Sequence, residues 1–182
     1  MKLEEILKII SQTGLGFDLD KIKNFKKIKD NYLGEFYIEQ GTIDDQFFFI
    51  IKKDLQIVGS LVATKIDDLE LESKREVLMI KRTWCKQDFR NKGLISNLYR
   101  FVYNDLKYAL ISDIEQSPET IQIWDRLRSS WNIKMINMQT KEISDINAFD
   151  LYHDAKYALI VESIDDQLYG VIKDYLFEMN GY

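Results

Sequence analysis

Three stretches rich in aromatic and β-branched residues follow one another closely in the first half of the chain. They are FFFIIKK (47–53), QIVGSLVATKI (56–66) and EVLMIKRTW (76–84). This composition favours strands. Only Asp54 and Leu55 separate the first two stretches, which leaves room for a tight turn and for nothing longer. Because a two-residue turn joins antiparallel neighbours, the sequence predicts an antiparallel meander over residues 47–84.

The hydrophobic period changes at Gly93. Beyond it, apolar residues recur every three or four positions, as on one face of a helix: Leu94, Leu98, Phe101, Val102 and Leu106. The first amides of a helix lack intrahelical partners and attract anions, and a glycine lets the backbone approach a phosphate closely. Arg90 and Lys92 add positive charge. From these residues alone, a phosphate-binding loop and an ordinary helix start both stay open.

The remaining patterns complete an α+β (mixed α/β) domain. SPETIQIWDRLRSS predicts a helix with Ser117 as N-cap and Pro118 at its first position. We predict an irregular or helical segment over the lysine-rich residues 17–31. Further strands are predicted over 32–40, 108–113, 131–139 and 156–163, and further helices at both ends of the chain, from Leu3 and over 165–179. Together they indicate a single domain, residues 1–182, with one central mixed sheet flanked by helices.

Composition and charge exclude several functional classes. The chain has 182 residues, of which 46% are hydrophobic and 30% charged, as in globular domains with a sizeable core. No apolar run could span a membrane, and the N-terminus lacks signal-peptide features, so we expect a soluble, cytoplasmic protein. The net charge of −5 argues against nucleic-acid binding, and the one basic run, KIKNFKK, is best interpreted as a solvated face.

Residues 90–95, Arg-Asn-Lys-Gly-Leu-Ile, resemble the cofactor loop of the GNAT family of N-acetyltransferases. That loop, Gln/Arg-x-x-Gly-x-Gly/Ala, lies between the family's fourth strand and third helix. Arg90 and Gly93 match the first and fourth places, whereas Ile95 stands where the family has a small residue. IIKKDLQIVGSLVA is similar to the family's second and third strands, and ALISDIEQSPETIQIWDRL to its fifth strand and fourth helix.

The resemblance covers residues 46–138 best. It extends to the C-terminal strand and helix over residues 156–182, and residues 1–40 are divergent. The pattern Ser-Asp-x-x-Gln…Trp-x-x-Leu also resembles acetyltransferase-like proteins encoded by phages.

The resemblance implies transfer of an acetyl group from acetyl-CoA to an amine. Backbone groups of Arg82, Thr83 and Trp84 would pair with the pantetheine arm. The pyrophosphate would be held by the amides of Arg90, Asn91, Lys92, Gly93, Leu94, Ile95 and Ser96. The amine would attack the thioester carbonyl directly, so the protein must orient both reactants, help remove the amine proton and protonate the leaving thiolate.

The candidate catalytic and substrate-binding groups lie around the strand over 108–113 and the helix that follows it. By the family's spacing, Trp124 stands where many members have a tyrosine that serves as the acid, so it is either a core residue or a wall against the cofactor or acceptor. Asp113 is the candidate base or substrate anchor, or else a turn residue. Gln116 either binds substrate or hydrogen-bonds its own loop. Glu76 lies at the far end of its strand from the expected cleft.

Few residues could supply nucleophilic or metal chemistry. Cys85 is the single cysteine and His153 the single histidine. We interpret Cys85 as a small buried thiol, because no partner that would activate it is evident, and His153 as a surface loop residue. With no cluster of ligating side chains, we predict no metal.

Two functional classes stay open. The first is an acetyl-CoA-dependent N-acetyltransferase, whose acceptor would be an amine-bearing small molecule or the lysine or N-terminus of a protein, with a homodimer as a candidate assembly. The second is a protein of the same fold that has lost catalysis and acts by binding, as a virion-associated or host-interaction protein of a phage. The absence of the tyrosine and the bulk of Ile95 favour the second class, and binding of acetyl-CoA separates the two.

Overall fold

A computed structural model describes residues 22–66, 75–112, 116–137, 143–145 and 157–161. The chain forms two compact units. The first comprises Met1–Lys65 and Ile80–Phe101, and the second comprises Ile66–Met79 and Val102–Tyr182. Among the described residues, no helix has both the length and the apolar character that crossing a membrane would need. The helices predicted near residue 3 and over 165–179 lie outside the described residues.

The first unit is built on consecutive strands. They are β1 (Lys23–Tyr32), β2 (Phe36–Ile43), β3 (Gln46–Lys53), β4 (Gln56–Ile66) and β5 (Val77–Cys85), which begins in the second unit. Neighbours in sequence are neighbours in the sheet, and the β1–β2, β2–β3 and β3–β4 pairs are antiparallel. Two-residue turns at 44–45 and 54–55 connect β2 to β3 and β3 to β4. The strand, the turn and the strand predicted over residues 47–66 are therefore confirmed.

The prediction for residues 17–31 is wrong over its described part, because residues 23–32 form a strand. β1 is the first strand in the sheet order, and its pairing with β2 is interrupted by three register shifts. Its lysines Lys26, Lys27 and Lys29 are exposed. Lysines and irregular pairing are how natural sheets keep an edge from pairing with other chains. The basic run therefore belongs to an edge strand rather than to a helix.

The core of this sheet is buried on both faces. Residues 48–51 of β3 and 57–63 of β4 are buried without interruption, which is the pattern of strands covered on both sides. One face carries a cluster formed by Ile22, Phe48, Ile50, Ile57 and Val62.

Helix α1 (Leu94–Arg100) follows β5 after a 3₁₀ turn over Gln87–Phe89. It continues directly into a π-helical turn over Phe101–Asp105. The predicted apolar face is largely confirmed, since Leu94, Leu98, Phe101 and Val102 are buried. Lys107 then adopts a left-handed conformation with φ 66°, and the Tyr108 amide donates to the Val102 carbonyl at 3.2 Å. A left-handed residue of this kind ends many helices.

The second unit contains the remaining elements. They are β6 (Ala109–Ser112), α2 (Pro118–Leu127), β7 (Ile133–Asn137), β8 (Ile143–Asp145) and β9 (Tyr157–Val161). Their strands lie in the order β6-β9-β7-β8 with antiparallel β6–β9, β9–β7 and β7–β8 pairs. Ser117 caps α2 by accepting a hydrogen bond from the Thr120 amide, with Pro118 behind it, as predicted. The α+β class is confirmed, and β8 is an addition to the predicted elements.

Lys107 offers a test of the helix ending. The left-handed conformation costs a non-glycine residue about 1–2 kcal/mol. Glycine avoids this cost, but it also raises the entropy of the unfolded chain, which offsets part of the stabilisation. We expect Lys107→Gly to raise the free energy of unfolding by about 0.5–1 kcal/mol in denaturant titrations. Lys107→Ala, which removes the side chain but keeps the strain, is the control and should change it little. Equal effects of the two substitutions would show that conformation is not the cause.

Candidate functional site

The loop between β5 and α1 turns sharply at two residues. The Lys86 amide donates to the Val58 carbonyl at 2.9 Å, which holds the end of β5 against β4. Asn91 and Gly93 then take left-handed conformations with φ 61° and 75°. Gly93 is the N-cap of α1, and no side chain caps this end of the helix. The amides of the first turn are therefore left without a side-chain acceptor, as an anion-binding loop requires.

Asn97, within α1, stabilises the start of this helix through two hydrogen bonds. Its backbone amide and its side-chain amide both donate to the Gly93 carbonyl, each at 2.9 Å. A Cβ at Gly93 would lie 3.2 Å from the Asn97 Nδ2 atom. Glycine is therefore favoured here by its left-handed conformation and by the close approach of Asn97.

Two cations border the loop. The Arg90 Nε atom donates to the Cys85 carbonyl at 3.2 Å, which folds the arginine back over the end of β5. The Lys92 Nζ atom lies 5.0 Å from the centre of the Phe89 ring, within the range of a cation–π contact. Both residues are exposed. Their positive charge thus belongs to the same loop as the uncapped amides.

Ile95, the residue that departs from the family's loop pattern, does not obstruct the loop. Its side chain is 7% exposed, and its Cδ1 atom lies 3.1 Å from the position that a Cβ on Gly59 would occupy. Ile51, the partner of Gly59 in the β3–β4 register, closes the same spot at 3.2 Å. The Ile95 side chain therefore packs into the space that Gly59 of β4, which has no side chain, leaves free. An isolated glycine inside a strand often marks such a close approach, and that signal could have pointed to Gly59 from sequence.

Tyrosine hydroxyls fix α1 at two points. The Tyr32 hydroxyl donates to the Leu94 carbonyl at 2.7 Å, and the Tyr99 hydroxyl lies 3.0 Å from the Thr83 Oγ1 atom on β5. Burial raises the pKa of both phenols well above the ordinary value, so both stay protonated and able to donate. Tyr32 was not predicted as a site residue, because its contact spans 62 positions of sequence.

The predicted pantetheine residues lie at the end of β5. Arg82 is exposed, while Thr83 and Trp84 are partly buried. Trp84 packs against the apolar cluster of the first unit, and the Thr83 side chain faces Tyr99. These three residues therefore share the first unit with the predicted pyrophosphate loop, residues 90–96, and their contacts with a cofactor stay a prediction.

The predicted substrate residues belong to the second unit. Trp124 is fully buried, as a core residue would be, and its role as a wall stays a prediction. The Gln116 Nε2 atom donates to the Ser112 Oγ atom at 3.1 Å, which ties the start of α2 to the end of β6. Glu76 accepts a hydrogen bond from the Ala109 amide through its carbonyl. Asp113 and His153 lie outside the described residues.

Cys85 is half-buried at the end of β5. Burial raises the pKa of its thiol, although Arg90 and Lys92 act in the opposite direction. A raised pKa lowers the thiolate fraction near neutral pH and with it the reactivity of the sulfur. Within the described ranges, no three histidine, cysteine, aspartate or glutamate side chains come together as metal ligands would.

The family model for the acetyltransferase (GNAT) family matches residues 18–110, just over half of the 182 residues. The chain belongs to the GNAT family. The matched range contains β1 to β5, the loop over residues 90–96 and helix α1. It begins inside the segment that looks divergent in sequence and ends before Asp113, Gln116 and Trp124. The narrower resemblance to phage-encoded members stays a prediction.

Solved GNAT-related structures are similar only at a distance. An acetyltransferase of the family from Bacteroides thetaiotaomicron is 11% identical, with 75% of this chain and 73% of that chain covered and a TM-score of 0.47. The Bacillus subtilis N-acetyltransferase YlbP, solved with coenzyme A, is 12% identical over 65% and 68% of the two chains, with a TM-score of 0.40. At these values the family membership rests on the family model. No curated protein matches the chain in sequence.

The contact between Ile95 and Gly59 can be tested with a double-mutant cycle. Gly59→Ala overpacks the contact and should cost about 1–3 kcal/mol of unfolding free energy. Ile95→Ala opens a cavity and should cost about 2–5 kcal/mol. We expect the double variant to be more stable than the sum of the single effects by about 1 kcal/mol or more, measured by denaturant titration.

The matched control pairs Gly59→Ala with Leu98→Ala, a buried residue of the same helix that is not among the nearest neighbours of the added Cβ. That pair should be additive within about 0.5 kcal/mol. Additivity of the Gly59 and Ile95 substitutions would contradict the proposed contact.

Cys85 is expected to react slowly. Because burial raises its pKa, alkylation by iodoacetamide at about pH 7.5 should be slower than that of a free low-molecular-weight thiol. Cys85→Ser should leave any transferase activity unchanged. Fast alkylation that abolishes activity, together with an inactive serine variant, would instead assign the thiol a chemical role.

Proposed function

We propose that this GNAT protein transfers the acetyl group of acetyl-CoA to an amine, with residues 90–96 holding the pyrophosphate. The observation that carries the proposal is the conformation of the loop inside a chain of this family. Two left-handed residues bend the backbone, and the helix that follows is uncapped. Successive backbone amides in turns with left-handed residues can form concave anion sites.

Charge and shape around the loop support the same ligand. Arg90 and Lys92 are the exposed cations of the loop, and they favour an anion at the amides. The side chains of Leu94, Ile95 and Ser96 are buried. They therefore leave the ligand to the backbone, as a pyrophosphate site built on amides needs.

The proposed pantetheine contacts use backbone as well. The Thr83 hydroxyl is engaged with Tyr99, and Trp84 packs into the apolar cluster. The end of β5 would therefore bind the amides of the pantetheine arm through the peptide groups of Arg82, Thr83 and Trp84. Acetyl-CoA would supply the activated thioester, and these groups would fix its position relative to the amine.

The reaction also needs groups that move protons and hold the acceptor. We propose Asp113 as base or substrate anchor and Gln116 and Trp124 as substrate contacts. The two tyrosines beside the loop do not replace the missing acid, because the Tyr32 and Tyr99 hydroxyls are engaged in buried hydrogen bonds. Direct attack by a deprotonated amine would still proceed if solvent protonates the thiolate.

A second candidate function is binding without catalysis. The specific observation in its favour is that Trp124, which by the family's spacing would stand in place of the acid tyrosine, is fully buried. A phage-encoded protein that binds CoA or a host component through this fold would fit that substitution.

The remaining parts of the proposal concern partners and setting. The acceptor would be an amine-bearing small molecule or the lysine or N-terminus of a protein, and the acidic charge of the chain favours the approach of a cation. We also propose a single domain, a cytoplasmic location and a homodimer as the assembly to test.

Calorimetry with acetyl-CoA tests the cofactor assignment. We expect saturable binding, with inorganic pyrophosphate as a competitor. Gly93→Ala should weaken the affinity about tenfold, because a side chain is strained at φ 75° and meets Asn97. Thermal unfolding checks that the variant is folded.

Absence of binding at near-millimolar acetyl-CoA would overturn the proposed function. Wild-type affinity in Gly93→Ala would overturn the loop assignment alone. If acetyl-CoA binds, thiol release in a screen of amine acceptors separates the two candidate functions, because a binding protein releases none.

A further inference from the structure

The β1–β2 hairpin meets the loop through one pair of residues. Tyr32 and Phe36 are directly opposite each other in the β1–β2 register, and opposite residues in an antiparallel pair project from the same face. Both are 6% exposed. The tight turn between them includes Leu33 and Gly34, both left-handed, and the Gly34 amide donates to the Asn31 carbonyl at 3.3 Å. The pair is thus held at the very end of the hairpin.

Each member of the pair contacts a different end of the loop. The Tyr32 hydroxyl donates to the carbonyl of Leu94, the first residue of α1, in a buried hydrogen bond of 2.7 Å. The Phe36 ring meets the Phe89 ring edge-on, with 6.0 Å between the centres and 82° between the planes. Residues 90–93, which carry both left-handed turns, lie between these two anchor points.

The Phe89 contact also fixes a charge. Phe89 is the residue over which Lys92 lies, and on the far side the Lys53 Nζ atom lies 6.0 Å from the Phe36 ring. Lys53 is balanced by Glu35 at 2.6 Å. The edge-on contact with Phe36 therefore helps to hold the Phe89 ring, and with it the Lys92 ammonium that lies over that ring.

We infer that the Tyr32–Phe36 pair is the positioning device of the cofactor loop, which sets its affinity for the phosphate-bearing end of acetyl-CoA without touching the reacting groups. The inference rests on the proposed function for the identity of the ligand. Tyr32 fixes the position of the first turn of α1 through its hydrogen bond to Leu94, and Phe36 holds Phe89 and, through it, Lys92. A loop held at both ends presents its amides already arranged, so less order is lost on binding.

Two variants and one matched control test this role. Tyr32→Phe removes only the hydroxyl, and Phe36→Leu removes the ring contact with Phe89. Tyr37→Phe is the control, because the Tyr37 hydroxyl also donates to a backbone carbonyl, that of Asp54, which is not part of the loop, in an exposed hydrogen bond. All three are measured by calorimetry with acetyl-CoA and by hydrogen exchange without ligand.

We expect Tyr32→Phe and Phe36→Leu to weaken acetyl-CoA binding about 5- to 10-fold, the loss of one hydrogen bond or ring contact, and the control by less than about twofold. Where turnover is measured, the KM for acetyl-CoA should rise with kcat nearly unchanged, since a positioning residue acts on binding. Amides 89–94 should exchange faster in both variants but not in the control.

The outcomes separate this inference from the proposed function. Binding by the wild type with equal affinity in Tyr32→Phe, Phe36→Leu and the control overturns the inference and leaves the function standing. If the wild type does not bind acetyl-CoA, the function fails and takes the affinity claim with it. Unchanged exchange of amides 89–94 then overturns the positioning claim as well, whereas faster exchange supports it independently of the ligand.

Discussion

The contact between Ile95 and Gly59 is the constraint on which the rest of the first unit depends. It lets the first turn of α1 approach β4 closely, because the isoleucine fills the space that the glycine leaves. The same contact turns the Ile95 side chain away from the loop. A residue that departs from the family's loop pattern is therefore accommodated by a glycine on the facing strand, and the two together fill the space between α1 and β4.

Packing brings α1 close to β4, and hydrogen bonds then fix the position and rotation of this helix. The Tyr32 hydroxyl donates to the first turn of α1, and the Tyr99 hydroxyl of α1 contacts Thr83 on β5. These buried hydroxyls therefore help to fix the conformation of the loop that joins β5 to α1. Such buried, satisfied groups add more to specificity of position than to net stability, since each only replaces a hydrogen bond to water. The loop itself contributes few side chains, and its chemistry is that of the backbone.

The sequence predicts the elements that depend on local pattern and misses those that depend on distant partners. The hairpin over residues 47–66 follows from β-branched content and a two-residue turn, and α2 follows from Ser117 and Pro118. β1 is missed because an edge strand rich in lysine lacks apolar alternation. A cofactor loop is predicted from Arg90 and Gly93, whereas the contacts of Tyr32 and Phe36 are missed, because nothing local marks a partner as distant as Leu94, 62 positions from Tyr32. Asp113 is predicted from its position at the end of the strand over 108–113, beside the expected cofactor cleft, and stays a prediction.

The most direct test of the account is residue-resolved: amide chemical shifts of the protein, recorded with and without saturating acetyl-CoA. If the backbone of the loop holds the pyrophosphate, the largest shift changes will fall on the amides of residues 90–96 and on the end of β5. The turn at 44–45, between β2 and β3, should be nearly unaffected. Saturable binding with shifts centred elsewhere, and with amides 90–96 unmoved, would contradict the assignment of the loop.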